Sequence, residues 1–167
     1  IDVFGATAYG LPFPMLGFTP NVGWGITHTT DKRSTLYELK LDPNNPKNYL
    51  YDNVSIPLKP LKISINTKNG AREHTFWLSQ FGPVVMGAAL PWNKENAYVF
   101  ADPERKNNRF ADTFYGIASA KNVGEIKDVQ LKKMGSPWSN VTAADSSGNV
   151  LYSNISVTAN ITDKQLN

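Results

Sequence analysis

Between Leu61 and Asn66 apolar and polar residues alternate one for one, with Leu61, Ile63 and Ile65 set against Lys62, Ser64 and Asn66. Only an extended strand sends successive side chains to opposite sides, so this period of two commits the segment to a half-covered sheet. Asn69-Gly70 follows, a dipeptide that a type I′ hairpin turn prefers because both central residues need positive φ. Arg72 to Leu78 is the expected returning strand. Tyr37, Leu39 and Leu41 alternate in the same way with Glu38 and Lys40, and Asp42-Pro43-Asn44-Asn45-Pro46 is a turn cluster between strands. Ser34 to Val85 therefore reads as half-exposed antiparallel sheet.

The first thirty residues have a different texture, apolar, glycine-dotted and nearly uncharged, as strands buried on both faces would be. Asp2 to Ala8 and Asn21 to Thr30 are the two candidates. Between them Gly10 to Phe18 cannot be regular, because Pro12 and Pro14 lack amide donors and restrict their predecessors. An apolar loop must either be buried or line a pocket for an apolar ligand, and the residues leave both open.

After a further short strand, Ala97 to Ala101, the period turns helical. Arg109 to Ser119 presents Phe110, Phe114 and Ile117 on one face. Asn122-Val123-Gly124-Glu125 has the spacing of an N-terminal capping box, with Gly135 placed as a C-terminal stop. Asp145 to Asn149 closes a last hairpin between Asn140 to Ala144 and Val150 to Asn154. The chain reads as one α+β domain over residues 1–167, strand-dominated, with antiparallel hairpins and about two helices.

The sequence has no Cys, which removes disulfides, thiolate nucleophiles and thiolate zinc cages. Lys and Arg number 17 against 14 Asp and Glu, and a net charge of +3 so dispersed is no nucleic-acid footprint. No run approaches the ~18 apolar residues that span a bilayer. His28 and His74 are the only histidines, neither with a carboxylate set by sequence to work with it. No Gly-x-Ser-x-Gly elbow, phosphate-binding glycine loop or His-x-x-x-His pair occurs. On the residues alone the chain carries no complete catalytic set, which leaves a stand-alone β-rich module gripping an apolar ligand as one reading.

A second reading comes from the order of short motifs. Asp2-Val3-Phe4-Gly5-Ala6, Gly10-Leu11-Pro12, Leu16-Gly17-Phe18 and Val22-Gly23-Trp24-Gly25-Ile26-Thr27-His28-Thr29 follow one another as in the penicillin acylase family, early in its β chain. Thr35-Leu36-Tyr37-Glu38-Leu39, Leu41-Asp42-Pro43, Phe81-Gly82-Pro83-Val84-Val85, Asn108-Arg109, Pro137-Trp138-Ser139-Asn140 and Ala143-Ala144-Asp145 resemble more narrowly its acyl-homoserine-lactone and aculeacin acylase branch. The likeness runs the length of the chain.

The resemblance implies a piece of an N-terminal-nucleophile hydrolase with an αββα sandwich. In such enzymes a precursor cleaves itself, the new N-terminal serine attacks an amide with its own α-amine as base, and water releases the acyl-enzyme. Counted from Trp24, the backbone N–H that helps hold the oxyanion falls on His28. The acyl-chain pocket falls on Ala8, Leu11, Phe13, Met15, Leu16, Phe114 and Trp138.

The implied substrates are N-acyl-homoserine lactones, penicillins or acylated peptides. The implied partners are the α chain and the remainder of the β chain of the same precursor, in a bacterial periplasm or secreted. No cofactor and no metal follow, since Asp31-Lys32-Arg33-Ser34-Thr35 replaces the acidic run with which penicillin G acylases help bind calcium. The nucleophile lies outside this sequence, so the piece alone is expected to be inactive. Open sheet edges predict that it self-associates.

Overall fold

All strand pairings are antiparallel, as the alternating segments require. The computed structural model describes residues 2–31 and 33–162. It divides into two units, Ile1–Arg33 with Pro103–Asn167, and Ser34–Asp102. The first unit opens with β1 (Phe4–Ala6), β2 (Leu16–Phe18) and β3 (Val22–His28). The second contains β4 (Thr35–Asp42), β5 (Asn45–Tyr51), β6 (Val54–Pro57), β7 (Lys59–Thr67), β8 (Gly70–Leu78), β9 (Val84–Val85) and β10 (Asn96–Ala101). After a 3-10 turn over Pro103–Lys106 the chain returns to the first unit with α1 (Phe110–Ser119), α2 (Val123–Lys133), β11 (Ser139–Asp145) and β12 (Val150–Ser153).

The second unit is a sheet in the order β6-β5-β4-β10-β9 beside the two-stranded ribbon β7-β8. Its core gathers Leu39, Leu41, Tyr49, Leu58, Ala97 and Val99, with Trp77, Phe81 and Trp92 against them. The ribbon forms as the alternation predicts, with Leu61 opposite Phe76 and Ile65 opposite Arg72, but every residue of β7 is exposed, so it is not the half-covered strand that the alternation implies. Its turn departs from expectation. Lys68 and Asn69 are the central turn residues, and only Gly70, at φ 98°, is left-handed. Gly70 pairs with Thr67, the arrangement of a turn followed by a glycine bulge, which places the one demanding φ on the residue without a Cβ.

The first unit is a sheet in the order β1-β2-β3-β11-β12, one face covered by the two helices. Alternation puts Val22, Trp24, Val141 and Ala143 on that face, where they meet Phe114, Ile117, Ala118 and Ile126. The opposite face stays open among the described residues. Phe4 is 73% exposed, so β1 is not buried on both faces as its composition implies. The apolar run is explained by half coverage, and the Gly10 to Phe18 stretch expected to be irregular contributes a strand, β2, once the two prolines are passed.

Helix α2 begins at the expected cap: the Asn122 side chain accepts the Glu125 amide at 3.0 Å, while Glu125 accepts the amide of Lys121 at 2.8 Å, one residue before the Asn122 amide that a capping box uses. It ends one residue earlier than expected. Met134 takes the left-handed position (φ 47°), while Gly135 lies so close to the Arg109 carbonyl that a Cβ would come within 2.4 Å. A tertiary link supports the start of α2, because the Val123 amide donates to the Asp145 carboxylate at 3.3 Å. The same carboxylate accepts the amides of Ser147 and Asn149 at 3.0 Å each. Partial burial disfavours the Asp145 anion, but the Asn149 side chain and the Val123, Asn149 and Ser147 amides outweigh it and hold its pKa below the ordinary value.

Two outcomes follow. In urea unfolding of the chain, Asn122→Ala costs about 1 kcal/mol through the lost cap, and Ile117→Ala, at a fully buried site, about 2–5 kcal/mol. The lowered pKa of Asp145 makes its contribution present above the ordinary carboxylate pKa and lost as pH falls through the folded value. Asp145→Asn removes that charge at every pH, so melting scans from neutral to strongly acid pH show a smaller fall for the variant than for the parent sequence.

Candidate functional site

The direction of each amide along β3 follows from its pairing with β11. The Thr29 amide donates to the Trp138 carbonyl at 3.1 Å, which makes His28 and Ser139 a non-hydrogen-bonded pair of the ladder. At the opposite end the Ser146 amide donates to the Asn21 carbonyl at 2.8 Å, which gives the same phase. Gly23, Gly25 and Thr27 therefore exchange bonds with β11, and the amides of Trp24, Ile26 and His28 face the other edge. On that edge β2 pairs only with Gly23 and Trp24. The amides of Ile26 and His28 project beyond it with no strand partner among the described residues.

Side chains fix this end of the strand. His28 is exposed, its Nδ1 lying 3.3 Å from the Trp138 carbonyl. Trp138 itself is left-handed (φ 62°) and half-exposed. Across the strand pair the Asn140 amide group donates to Thr27 Oγ1 at 3.2 Å, and its carbonyl accepts the Tyr152 hydroxyl at 3.0 Å. Sequence reading missed the Asn140 and Tyr152 pair. Only a register for β11 and β12, 12 residues apart in this contact, would have exposed it.

The apolar residues expected at a pocket are brought together in part. Phe13 is buried, stacked on Phe114 with centroids 6.0 Å apart and planes at 10°, and Phe110 completes the trio at 5.7 Å from Phe13. Leu11 and Met15 pack half-buried against the same cluster, and the Trp24 indole donates to the Met15 carbonyl at 3.1 Å. Ala8 is exposed in the turn before them, and Leu16 is 45% exposed on β2. Trp138 stands at the His28 end. An open groove of about 580 Å³ runs beside Phe13, lined further by Pro12, Ala111, Asp112, Tyr115, Gly116 and Lys133. Core packing thus accounts for Phe13 and Phe114, which lie buried in the cluster.

Just beyond β3 lies a polar cluster that the sequence did not announce. Asp31 is bound by Asn154 Nδ2, and its amide donates to Thr29 Oγ1 at 3.0 Å. The Thr29 and Asn154 hydrogen bonds lower the Asp31 pKa, with a smaller contribution from Arg33. Arg33 is buried, and desolvation lowers its pKa against the opposing fields of Asp31 and Glu104. His74 is exposed on the ribbon, its ring centroid 4.5 Å from that of Phe76 in an edge-on arrangement. Among the described residues no group of three or more His, Cys, Asp or Glu is placed to hold a metal ion, and no helix is long and apolar enough to cross a membrane.

Comparison with known proteins places this geometry in a family. The family model described as penicillin amidase matches residues 1–167. The acyl-homoserine lactone acylase PvdQ of Pseudomonas fluorescens is 36% identical over 174 residues, covering 99% of this chain and 22% of the relative. The aculeacin-A acylase of Actinoplanes utahensis is 32% identical over 162 residues, covering 96% of this chain and 21% of the relative. The chain therefore spans about a fifth of the length of the curated relatives it matches. Among solved structures, a thermostable penicillin G acylase from Alcaligenes faecalis superposes with a TM-score of 0.83 at 24% identity, over 93% of this chain and 28% of that one. That likeness shows the fold: the antiparallel sheets and two helices have the αββα-type arrangement of penicillin acylases. The chain belongs to the penicillin amidase family.

Proposed function

We propose that this chain is a segment of the β subunit of an N-terminal-nucleophile acylase, cleaving the amide of N-acyl-homoserine lactones or related acylated compounds. Its partners are the α chain and the rest of the β chain. The observation that carries the reading is the His28 amide, which leaves the β3 edge where no strand pairs with it. An N–H held rigid by a sheet yet not consumed by the ladder is the kind of donor an oxyanion hole needs, since it is aimed before the charge develops.

In this reading a serine from outside the segment attacks the substrate carbonyl, its proton passing to its own α-amine. The carbonyl oxygen becomes an alkoxide, and the His28 N–H stabilises it until the carbon–nitrogen bond breaks and the amine departs with the proton returned by the α-ammonium. Water then attacks the acyl-enzyme through a second tetrahedral state at the same donor. The His28 imidazole plays no chemical part. Leu11, Met15 and Trp138 supply apolar surface for the acyl chain, with Ala8 and Leu16 at its margin and the buried Phe13 and Phe114 backing it, and each buried methylene is worth about 0.8 kcal/mol.

Backbone and side chain separate cleanly in the processed full-length enzyme. His28→Ala keeps the amide and leaves kcat within about tenfold, whereas His28→Pro deletes the donor without breaking a β11 bond and lowers kcat about 10²–10³-fold. Equal effects of the two substitutions contradict the role given to the amide. In the same enzyme, Phe13→Ala costs about 3–5 kcal/mol of stability and weakens long-chain homoserine lactones more than short-chain ones in kcat/KM. No amide cleavage of long-chain or short-chain homoserine lactones or of penicillin G by the intact enzyme rejects the acylase reading.

A further inference from the structure

The ribbon β7-β8 is a two-stranded sheet of its own, with nine residues in each arm. A hairpin of two strands is at best marginally stable in water unless a further element packs against its apolar face. Register and alternation sort its side chains onto two faces. Trp77 and Glu73 belong to one face, and Trp77 joins the core of the second unit, edge-on to Trp92. The other face carries Leu61, Ile63 and Ile65 in one row, paired with Phe76, His74 and Arg72 in the row beside it. Nothing covers that face among the described residues: Ile65 is 62% exposed, and Leu61, Ile63 and Phe76 are exposed with it. Its charge has one sign. Arg72 lies opposite Ile65 near the turn, Lys59 continues the face toward the base, and Glu73, the only carboxylate of the two strands, points to the other side.

We propose that this face docks an amphipathic segment of the parent enzyme from outside residues 1–167, presenting an apolar row to Leu61, Ile63, Ile65 and Phe76 and Asp or Glu side chains to Arg72 and His74. A contiguous apolar strip of this kind marks an interaction surface, and charge complementarity selects the occupant. A second copy of the same face would set Lys59 and Arg72 against cations. Arg72 and His74 are two strand residues apart, about 7 Å, which matches carboxylates two residues apart on a strand or four apart on a helix. The headgroups of a fluid lipid surface hold no such fixed spacing, and the end of the ribbon, Lys68-Asn69-Gly70, is too polar to insert. The occupant rests on the segment reading above, in which most of the parent enzyme lies beyond a chain that spans 22% of an acyl-homoserine lactone acylase relative.

The test uses the full-length processed enzyme and reads no activity, so the acylase reading can fail while this one stands. Ile65→Cys and Ser64→Cys place a thiol on opposite faces of β7. Each is alkylated with iodoacetamide and quantified peptide by peptide in folded and in urea-unfolded enzyme. Folding slows alkylation at least about 100-fold in Ile65→Cys and less than about tenfold in Ser64→Cys. Adding Arg72→Glu to Ile65→Cys speeds alkylation of the folded enzyme at least about tenfold, whereas adding Arg72→Lys leaves it protected. A benzophenone amino acid in place of Ile63 identifies the occupant, since irradiation links it to an Asp- or Glu-bearing peptide of the same enzyme molecule from outside residues 1–167. Fast alkylation of folded Ile65→Cys, equal protection of Ser64→Cys, or protection unmoved by Arg72→Glu overturns the proposal. So does a crosslink to a second copy, the lack of any crosslink, or flotation with phosphatidylserine vesicles that Arg72→Glu abolishes.

Discussion

The pairing of β3 with β11 sets both the core of the first unit and the direction of its amides. One register buries Trp24 and Val141 under the helices and, by the same alternation, turns the amides of Ile26 and His28 outward past β2. A slip of one residue would expose Trp24 and reverse every amide direction at once. Hydrophobic burial therefore selects the direction of the His28 amide.

Polar contacts then pin the segment where β3 leaves the sheet. Trp138, in its left-handed conformation, offers one carbonyl to the Thr29 amide and lies within reach of the His28 ring. Asn140 bridges Thr27 and Tyr152, and Asn154 holds Asp31. Apart from the Asn140–Tyr152 bond, each contact joins residues from 138 onward to residues before 32. The direction of the His28 amide thus depends on a piece of chain more than a hundred residues away, and the covered face of the sheet depends on helices that lie between the two in sequence.

Much of this was legible in advance because it is local. Alternation over Leu61 to Asn66 needs no partner to declare a strand, and Asn122 with Glu125 declares a helix start from three residues' spacing. The errors have one cause, which is tertiary context. Gly135 reads as a helix stop by composition, but its small size is used against the Arg109 carbonyl, leaving Met134 to turn the chain. Asn69-Gly70 reads as a mirror-image turn, but the bulge at Gly70 absorbs the only positive φ. The apolar residues from Gly10 to Phe18 are equally suited to core or pocket, and only their placement around Phe114 distinguishes Phe13 from Ala8. Arg33 carries no local signal, because burial of a charge is a property of what surrounds it. Order of motifs identified the family where no single motif would have done so.

Amide hydrogen exchange along β3 in the chain tests the central claim most directly. If the ladder has the phase described, the amides of Gly25 and Thr27 exchange slowly, while those of Ile26 and His28 exchange at least about 100-fold faster. A His28 amide as protected as that of Thr27 would mean that the ladder consumes it, and the donor on which the account rests would not exist.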